Sequence, residues 1–127
     1  MSKSQKFYAC KHCGNVAVLA VVKGGDLVCC GEKMCELVPN TVEASQEKHL
    51  PVVEKTDCGI KVKVGGVSHP MQEDHYIAFI YVKTERGGQR IKLGIGDPPE
   101  AEFCFADDKP TEVYALCNLH GMWKTEI

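Results

Sequence analysis

Polar and apolar residues alternate most clearly in the middle of the chain. The stretch "IKVKVGGV", residues 60–67, sets Ile60, Val62 and Val64 against Lys61 and Lys63. That period of two is the mark of a half-buried strand. "YIAFIYVKT", 76–84, is continuously apolar and rich in aromatic and β-branched residues, which predicts a more central strand. "RIKLGI", "AEFCFA" and "TEVYALC" follow, separated by "GG", "GDPP" and "DDKP", which read as turns or loops. Short strands at this spacing predict an antiparallel sandwich or barrel. The one stretch with helical character is "TVEASQEK", 41–48, with Thr41 as a candidate N-cap.

The first third follows a different pattern. "VAVLAVV", "KGGD" and "LVCC" are short apolar runs broken by glycines. A segment this short cannot bury a self-sufficient core, and a bound metal would supply the missing stabilisation. Five of the eight cysteines fall in the first 35 residues, whereas every histidine except His12 lies at or after position 49. This asymmetry predicts two domains, 1–37 and 38–127, joined near "ELVPNT".

The length of 127 residues suits one small domain plus one of moderate size. A composition of 44% hydrophobic and 25% charged residues is that of a soluble protein. The net charge of −2 gives no argument for nucleic acid or an acidic membrane surface as a partner, so any attraction for an anion must come from a local cluster. The N-terminus is polar, and the apolar run 16–22 is too short to span a bilayer. Together these predict a cytoplasmic protein with no membrane partner. In that compartment eight cysteines point to metal or redox chemistry in preference to a disulfide framework.

Two constellations carry that chemistry. Cys10 and Cys13 form C-x-x-C in "YACKHCGN", and Cys29 and Cys30 stand side by side in "LVCCGEKM". Four thiolates make a tetrahedral site for zinc or iron. Vicinal ligands share one peptide link, so strain is expected there. The second constellation pairs Cys117 and His120 in "CNLHGMWK" with His49 in "EKHLPVVEK", His69 in "VSHPM" and His75 in "EDHYIAF". Proline soon after His49 and His69 restrains the backbone, which favours a preorganised ligand. His12 lies inside the first knuckle and is set aside. Cys35, Cys58 and Cys104 fit no ligand position and read as small buried hydrophobes or ordinary thiols, with Cys58 the most open to oxidation.

Residues 1–37 resemble desulforedoxin, a small rubredoxin-like iron domain, through the adjacent cysteine pair. "EKHLPVVEK", "KVKVGGVSHPMQEDHYI" and "CNLHGMWK" resemble the superoxide reductase family. The whole chain thus resembles that family's two-iron form, desulfoferrodoxin. The resemblance implies an all-β protein in which a rubredoxin/desulforedoxin-like metal domain precedes a seven-stranded immunoglobulin-like β-sandwich. It implies two iron ions per chain. One is held by Cys10, Cys13, Cys29 and Cys30, the other by His49, His69, His75 and His120 with Cys117 as axial ligand.

Five donors leave one octahedral position open, which signals reaction. One thiolate and four neutral imidazoles around Fe²⁺ leave about +1, and Lys48 adds to it. A small anion would be drawn in, at up to roughly 10⁸–10⁹ M⁻¹s⁻¹. Superoxide fits, and would be reduced to hydrogen peroxide without release of dioxygen. Lys48 would order the water that delivers a proton, and Glu47 is the carboxylate that would close the open position after turnover. The resemblance further implies a homodimer re-reduced by rubredoxin or another small carrier. Three alternatives stand beside it. They are a two-iron electron-transfer protein, a zinc- or partner-binding sandwich, and a superoxide dismutase, which would release dioxygen and need no donor.

Overall fold

The computed structural model describes residues 4–42 and 44–127. The chain divides into two compact units, one running up to Val38 and the other spanning Pro39–Ile127.

The small unit is built from five two-residue strands. They are β1 (Tyr8–Ala9), β2 (Val16–Ala17), β3 (Val28–Cys29), β4 (Glu32–Lys33) and β5 (Cys35–Glu36). β1 lies between β2 and β5, and β3 pairs with β4 as a hairpin. Among the described residues its buried apolar side chains are only Phe7, Cys10 and Met34. The apolar run 16–22 turns to solvent beyond β2, with Val21 67% and Val22 72% exposed. With so little burial, a metal held by this unit would supply stabilisation that its core does not.

The body begins with one helical turn, α1 (Gln46–His49), followed by seven strands. These are β6 (Pro51–Lys55), β7 (Gly59–Val64), β8 (Ile77–Thr84), β9 (Gly88–Lys92), β10 (Glu100–Cys104), β11 (Pro110–Cys117) and β12 (Gly121–Glu126). They form two antiparallel sheets, β10-β7-β6 and β12-β11-β8-β9. This is the seven-stranded immunoglobulin-like sandwich that the resemblance implied. Ile60, Val62 and Val64 of β7 and Phe103 of β10 pack with Ile80, Val82, Val113, Ala115 and Cys117 of the other sheet. β7 keeps the predicted alternation, and β8 and β11, both central, are buried along most of their length.

Two strands, β6 and β12, escape the hydrophobic pattern because each carries charge and one half-exposed face. The helix also differs from its prediction. It starts at Gln46 with Ser45 at the N-cap position, without a side-chain cap. Thr41 lies outside it, and Glu43 of the predicted stretch is outside the described residues.

A second correction concerns two cysteines read as separate thiols. Cys58 and Cys104 form a disulfide, and both are exposed. Cys35 is free and also exposed, not a buried hydrophobe.

Candidate metal centres

Antiparallel pairing brings one end of several strands together. The start of β6 faces the end of β7 through Pro51 and Val64. The end of β11 faces the starts of β8 and β12, through Cys117 with Ile77 and Gly121. Every predicted donor of the second constellation is attached at this end. His49 closes α1 just before β6, and His69 lies in the loop after β7. His75 precedes β8, Cys117 ends β11, and His120 sits in the turn to β12. The register between β11 and β8 shifts between Leu116 and Cys117. Such an irregularity re-aims a side chain, here the thiol.

The four imidazoles form a closed ring in the order His49, His69, His75, His120. Neighbouring ring centres are 4.7, 4.6, 5.2 and 4.9 Å apart. The diagonal pair His49–His75 is at 6.2 Å. Each neighbouring pair crosses at 71–85°. Donor atoms of His49, His69, His75 and Cys117 all lie within 4.8 Å of one another. His120 completes the set, with Nδ1 3.1 Å from His49 Nε2 and 3.8 Å from Cys117 Sγ.

Outer hydrogen bonds choose which nitrogen faces inward. His49 Nδ1 donates to the Ser45 carbonyl at 2.6 Å, and His69 Nδ1 to the Pro70 carbonyl at 2.7 Å. A neutral ring with its Nδ1 proton so engaged must present a bare Nε2. The Nε2 atoms of His69 and His75 are buried without a hydrogen-bond partner. Buried polar atoms are rarely left so, and a metal ion is the partner their chemistry fits. Burial lowers the pKa of His49, helped by the positive charges of His120, His75 and Lys48, and brings that of His69 to about 4. Both rings are therefore neutral ligands near pH 7.

The backbone around these donors is tied down. Gly65 N donates to Leu50 O at 3.0 Å and Val67 N to Glu47 O at 3.2 Å, which fastens the loop bearing His69 to the segment bearing His49. Gly65 has φ +86°, and a Cβ there would strike the carbonyls of Lys48 and Val67. Trp123 is stacked on His49 at 4.9 Å and 22°, and its indole N–H donates to His120 O at 3.1 Å. Asn118 accepts from Tyr76 N at 2.8 Å and donates to Asp74 O at 3.0 Å, so it grips both neighbours of His75. Sequence reasoning passed over Asn118, Trp123 and Gly65 as holding groups. Their only signal was their place inside or beside the ligand motifs. Glu47 and Lys48 are exposed on α1, directly before His49.

The first constellation also assembles. Cys10, Cys13, Cys29 and Cys30 bring their sulfurs within 4.8 Å of one another. Cys30 has φ +54°, a left-handed backbone conformation that costs a non-glycine residue energy. The Cys13 backbone N–H, with smaller help from that of His12, holds the Cys10 thiol down at about 6. Hydrogen bonds to Cys10, Cys13 and Cys29 push Cys30 up to about 12, and Cys29 is raised, first by Cys13. One thiolate thus forms readily, while Cys29 and Cys30 keep their protons until a cation displaces them. His12 is no ligand; it pairs with Glu32 at 2.5 Å. Among the described residues Cys35 belongs to neither group.

Comparison with known proteins agrees with both centres. Residues 41–126 match the family model for desulfoferrodoxin, and residues 2–38 that for the desulfoferrodoxin N-terminal domain. The chain is 46% identical over 126 residues to a desulfoferrodoxin of Nitratidesulfovibrio vulgaris, covering 99% of each. It is similar to the crystal structure of the superoxide reductase from Treponema pallidum, with TM-score 0.82, 36% identity and coverage of 98% of this chain and 100% of that one. A superoxide reductase from Nanoarchaeum equitans covers 66% of this chain and 94% of its own length, with TM-score 0.54 and 28% identity. The four-cysteine and histidine–cysteine groups match the two iron sites of desulfoferrodoxin.

Proposed function

The chain belongs to the desulfoferrodoxin family, and from that membership we propose that it is a superoxide reductase, reducing superoxide to hydrogen peroxide without releasing dioxygen. The observation that carries this reading is the ring of four imidazoles. It is joined by one thiol and contains two buried nitrogens that no protein group satisfies. Iron bound there supplies the one-electron couple. The chain supplies the rest. His49, His69, His75 and His120 hold neutral nitrogens inward, so the donor set carries only the single negative charge of Cys117. The Lys48 ammonium, close enough to lower the pKa of His49, draws in the anion and orders the water that passes it a proton. The Glu47 carboxylate, one residue earlier and also exposed, would offer the iron a further oxygen donor after turnover. Both roles are supported by their place on α1 beside His49.

Cys10, Cys13, Cys29 and Cys30 hold the second iron, which stabilises a unit with little core of its own. We further propose a homodimer, which would cover some of the exposed Val16, Val18, Val21, Val22 and Val28 of the small unit. A rubredoxin-like carrier is the proposed donor. The cytoplasm is the proposed location, where four free thiols stay available to a metal. No helix among the described residues is long and apolar enough to cross a membrane.

Single-turnover mixing tests the reaction. The iron-loaded protein is reduced without oxygen and given superoxide, and its absorption is followed while peroxide and dioxygen are assayed. Oxidation of the histidine-bound iron with peroxide and no dioxygen is expected. Dioxygen release with return of the ferrous spectrum would instead make it a dismutase. No reaction at full loading would leave an electron-transfer protein.

A further inference from the structure

Neither metal group uses Cys58 and Cys104, yet the fold sets them side by side. Cys58 occupies the Thr56–Gly59 turn between β6 and β7, and Cys104 ends β10. The turn is closed by Thr56 N donating to Gly59 O at 3.0 Å and Gly59 N to Thr56 Oγ1 at 3.1 Å. Phe105 N donates to Cys58 O at 3.0 Å, and Gln89 Nε2 to Cys104 O at 2.9 Å. Gly59 is paired with Cys104, and a side chain at 59 would strike the Phe103 carbonyl. Only glycine there lets the two backbones approach so closely, with the Cys58 and Cys104 Cα atoms 4.9 Å apart. Five ladder pairs and the buried Ile60, Val62 and Phe103 hold the same two strands together. Opening the S–S bond therefore leaves two thiols already in place to close it again. Both cysteines are exposed, and Cys58 lines an open groove of about 840 Å³ with Val52, Val53, Ile60 and Phe105. Access of that size admits a reductant as well as a small oxidant.

We propose that Cys58 and Cys104 are a third redox site, a reversible dithiol that hydrogen peroxide closes and a dithiol reductant reopens. In closing, one thiolate attacks a peroxide oxygen, the O–O bond breaks, and the departing hydroxide takes a proton to become water. The second thiol then displaces water from the sulfenic acid, and the S–S bond forms. The sum is two thiols and one hydrogen peroxide giving one disulfide and two waters. Two electrons leave sulfur and two enter oxygen. Reopening is thiol–disulfide exchange, which transfers the bond to the donor dithiol. The pair's reactivity stands by itself; only the source of peroxide rests on the activity proposed above.

The test uses the iron-loaded protein. Dithiothreitol treatment followed by iodoacetamide is expected to take labelling of Cys58 and Cys104 from near none to near complete, with both iron absorption signatures kept. One equivalent of added peroxide should return both residues to the unlabelled state, with loss of two hydrogens in mass. Resistance of the native pair to the reductant would overturn the proposal, as would collapse of the iron spectra on reduction, which marks a structural staple. In Cys104→Ser, peroxide should no longer protect Cys58; continued protection would assign another partner and sink the pair. A single turnover of superoxide on the pre-reduced iron, with the pair opened and excess reductant removed, should close the pair as added peroxide does. Closure by added peroxide alone would leave the redox site standing and count against the proposed superoxide chemistry.

Discussion

Replacing Asn118 by alanine should weaken the histidine site and leave the cysteine site alone. Its side chain makes two hydrogen bonds, accepting from Tyr76 N at 2.8 Å and donating to Asp74 O at 3.0 Å. Its backbone N–H, which donates to Tyr76 O at 3.1 Å, survives the substitution. A hydrogen bond nets about 0.5–1.5 kcal/mol. Asn118 is exposed, so water can re-solvate the two freed groups and the lower half of that range applies. The loss is then about 1–2 kcal/mol in total. These bonds fix the residues on either side of His75. In the variant, the metal-free segment relaxes and must be re-ordered when iron binds. If the whole loss appears there, iron affinity at this site falls by about 5- to 30-fold. Competition against a chelator measures it, with the four-cysteine iron as internal control. Asn118→Asp keeps the acceptor for Tyr76 N and sets a carboxylate against the Asp74 carbonyl, so it should rescue little. Equal losses at both sites, or destabilisation in urea with unchanged affinity, would refute the reasoning and make Asn118 an ordinary turn residue.

Lys48→Ala removes one positive charge; at about 7 Å in water such a charge is worth about 0.6 kcal/mol, so superoxide capture should slow about threefold at low salt. The difference should vanish above about 0.5 M salt in stopped-flow mixing, and persistence there would argue against steering. Gly65→Ala forces a φ of +86° on a side chain and drives its Cβ into two carbonyls that anchor His49 and His69. The expected result is loss of histidine-site iron by metal analysis, with the four-cysteine signature retained; a fully loaded variant contradicts it. The metal-free protein should lose stability as pH falls. His69 titrates near 4 in the fold, below its ordinary value of 6.5. Between those values the unfolded chain binds more protons, so stability present above about 6.5 drains away toward 4 and then levels. Urea midpoints across that window check the sign.

The donors were legible in the sequence because metal chemistry limits residue type and spacing. C-x-x-C, the vicinal pair and C-x-x-H announce themselves, and all nine donors gather where the fold brings them. β7, β8 and β11 were legible because one or both faces are buried. β6 and β12 were not, since "PVVEK" and "GMWKTE" mix exposed and charged positions, and the partner strand, not periodicity, makes them strands. The Cys58–Cys104 bond was hidden for a similar reason. A separation of 46 residues carries no information until β10 pairs with β7. Asn118 and Trp123 likewise act through backbone groups of other residues, which no residue-type pattern reveals.

One chain thus builds two metal sites from overlapping ligand types, and ligand charge decides which one can meet superoxide. Four thiolates carry four negative charges, so a divalent ion at Cys10, Cys13, Cys29 and Cys30 leaves about −2 and a saturated tetrahedron. An anion is repelled and finds no position to occupy. Burial keeps the His49 and His69 rings neutral, so with one thiolate the same ion leaves about +1. Held by five donors, the ion would also have room for a small ligand. Desolvation, which would penalise a charged ligand, keeps these rings unprotonated and free to hold the ion. Any substitution that lets solvent reach His69 returns its pKa toward the ordinary 6.5, so that below that pH a proton competes with iron for its Nε2, and metal binding there should weaken before the sandwich alters.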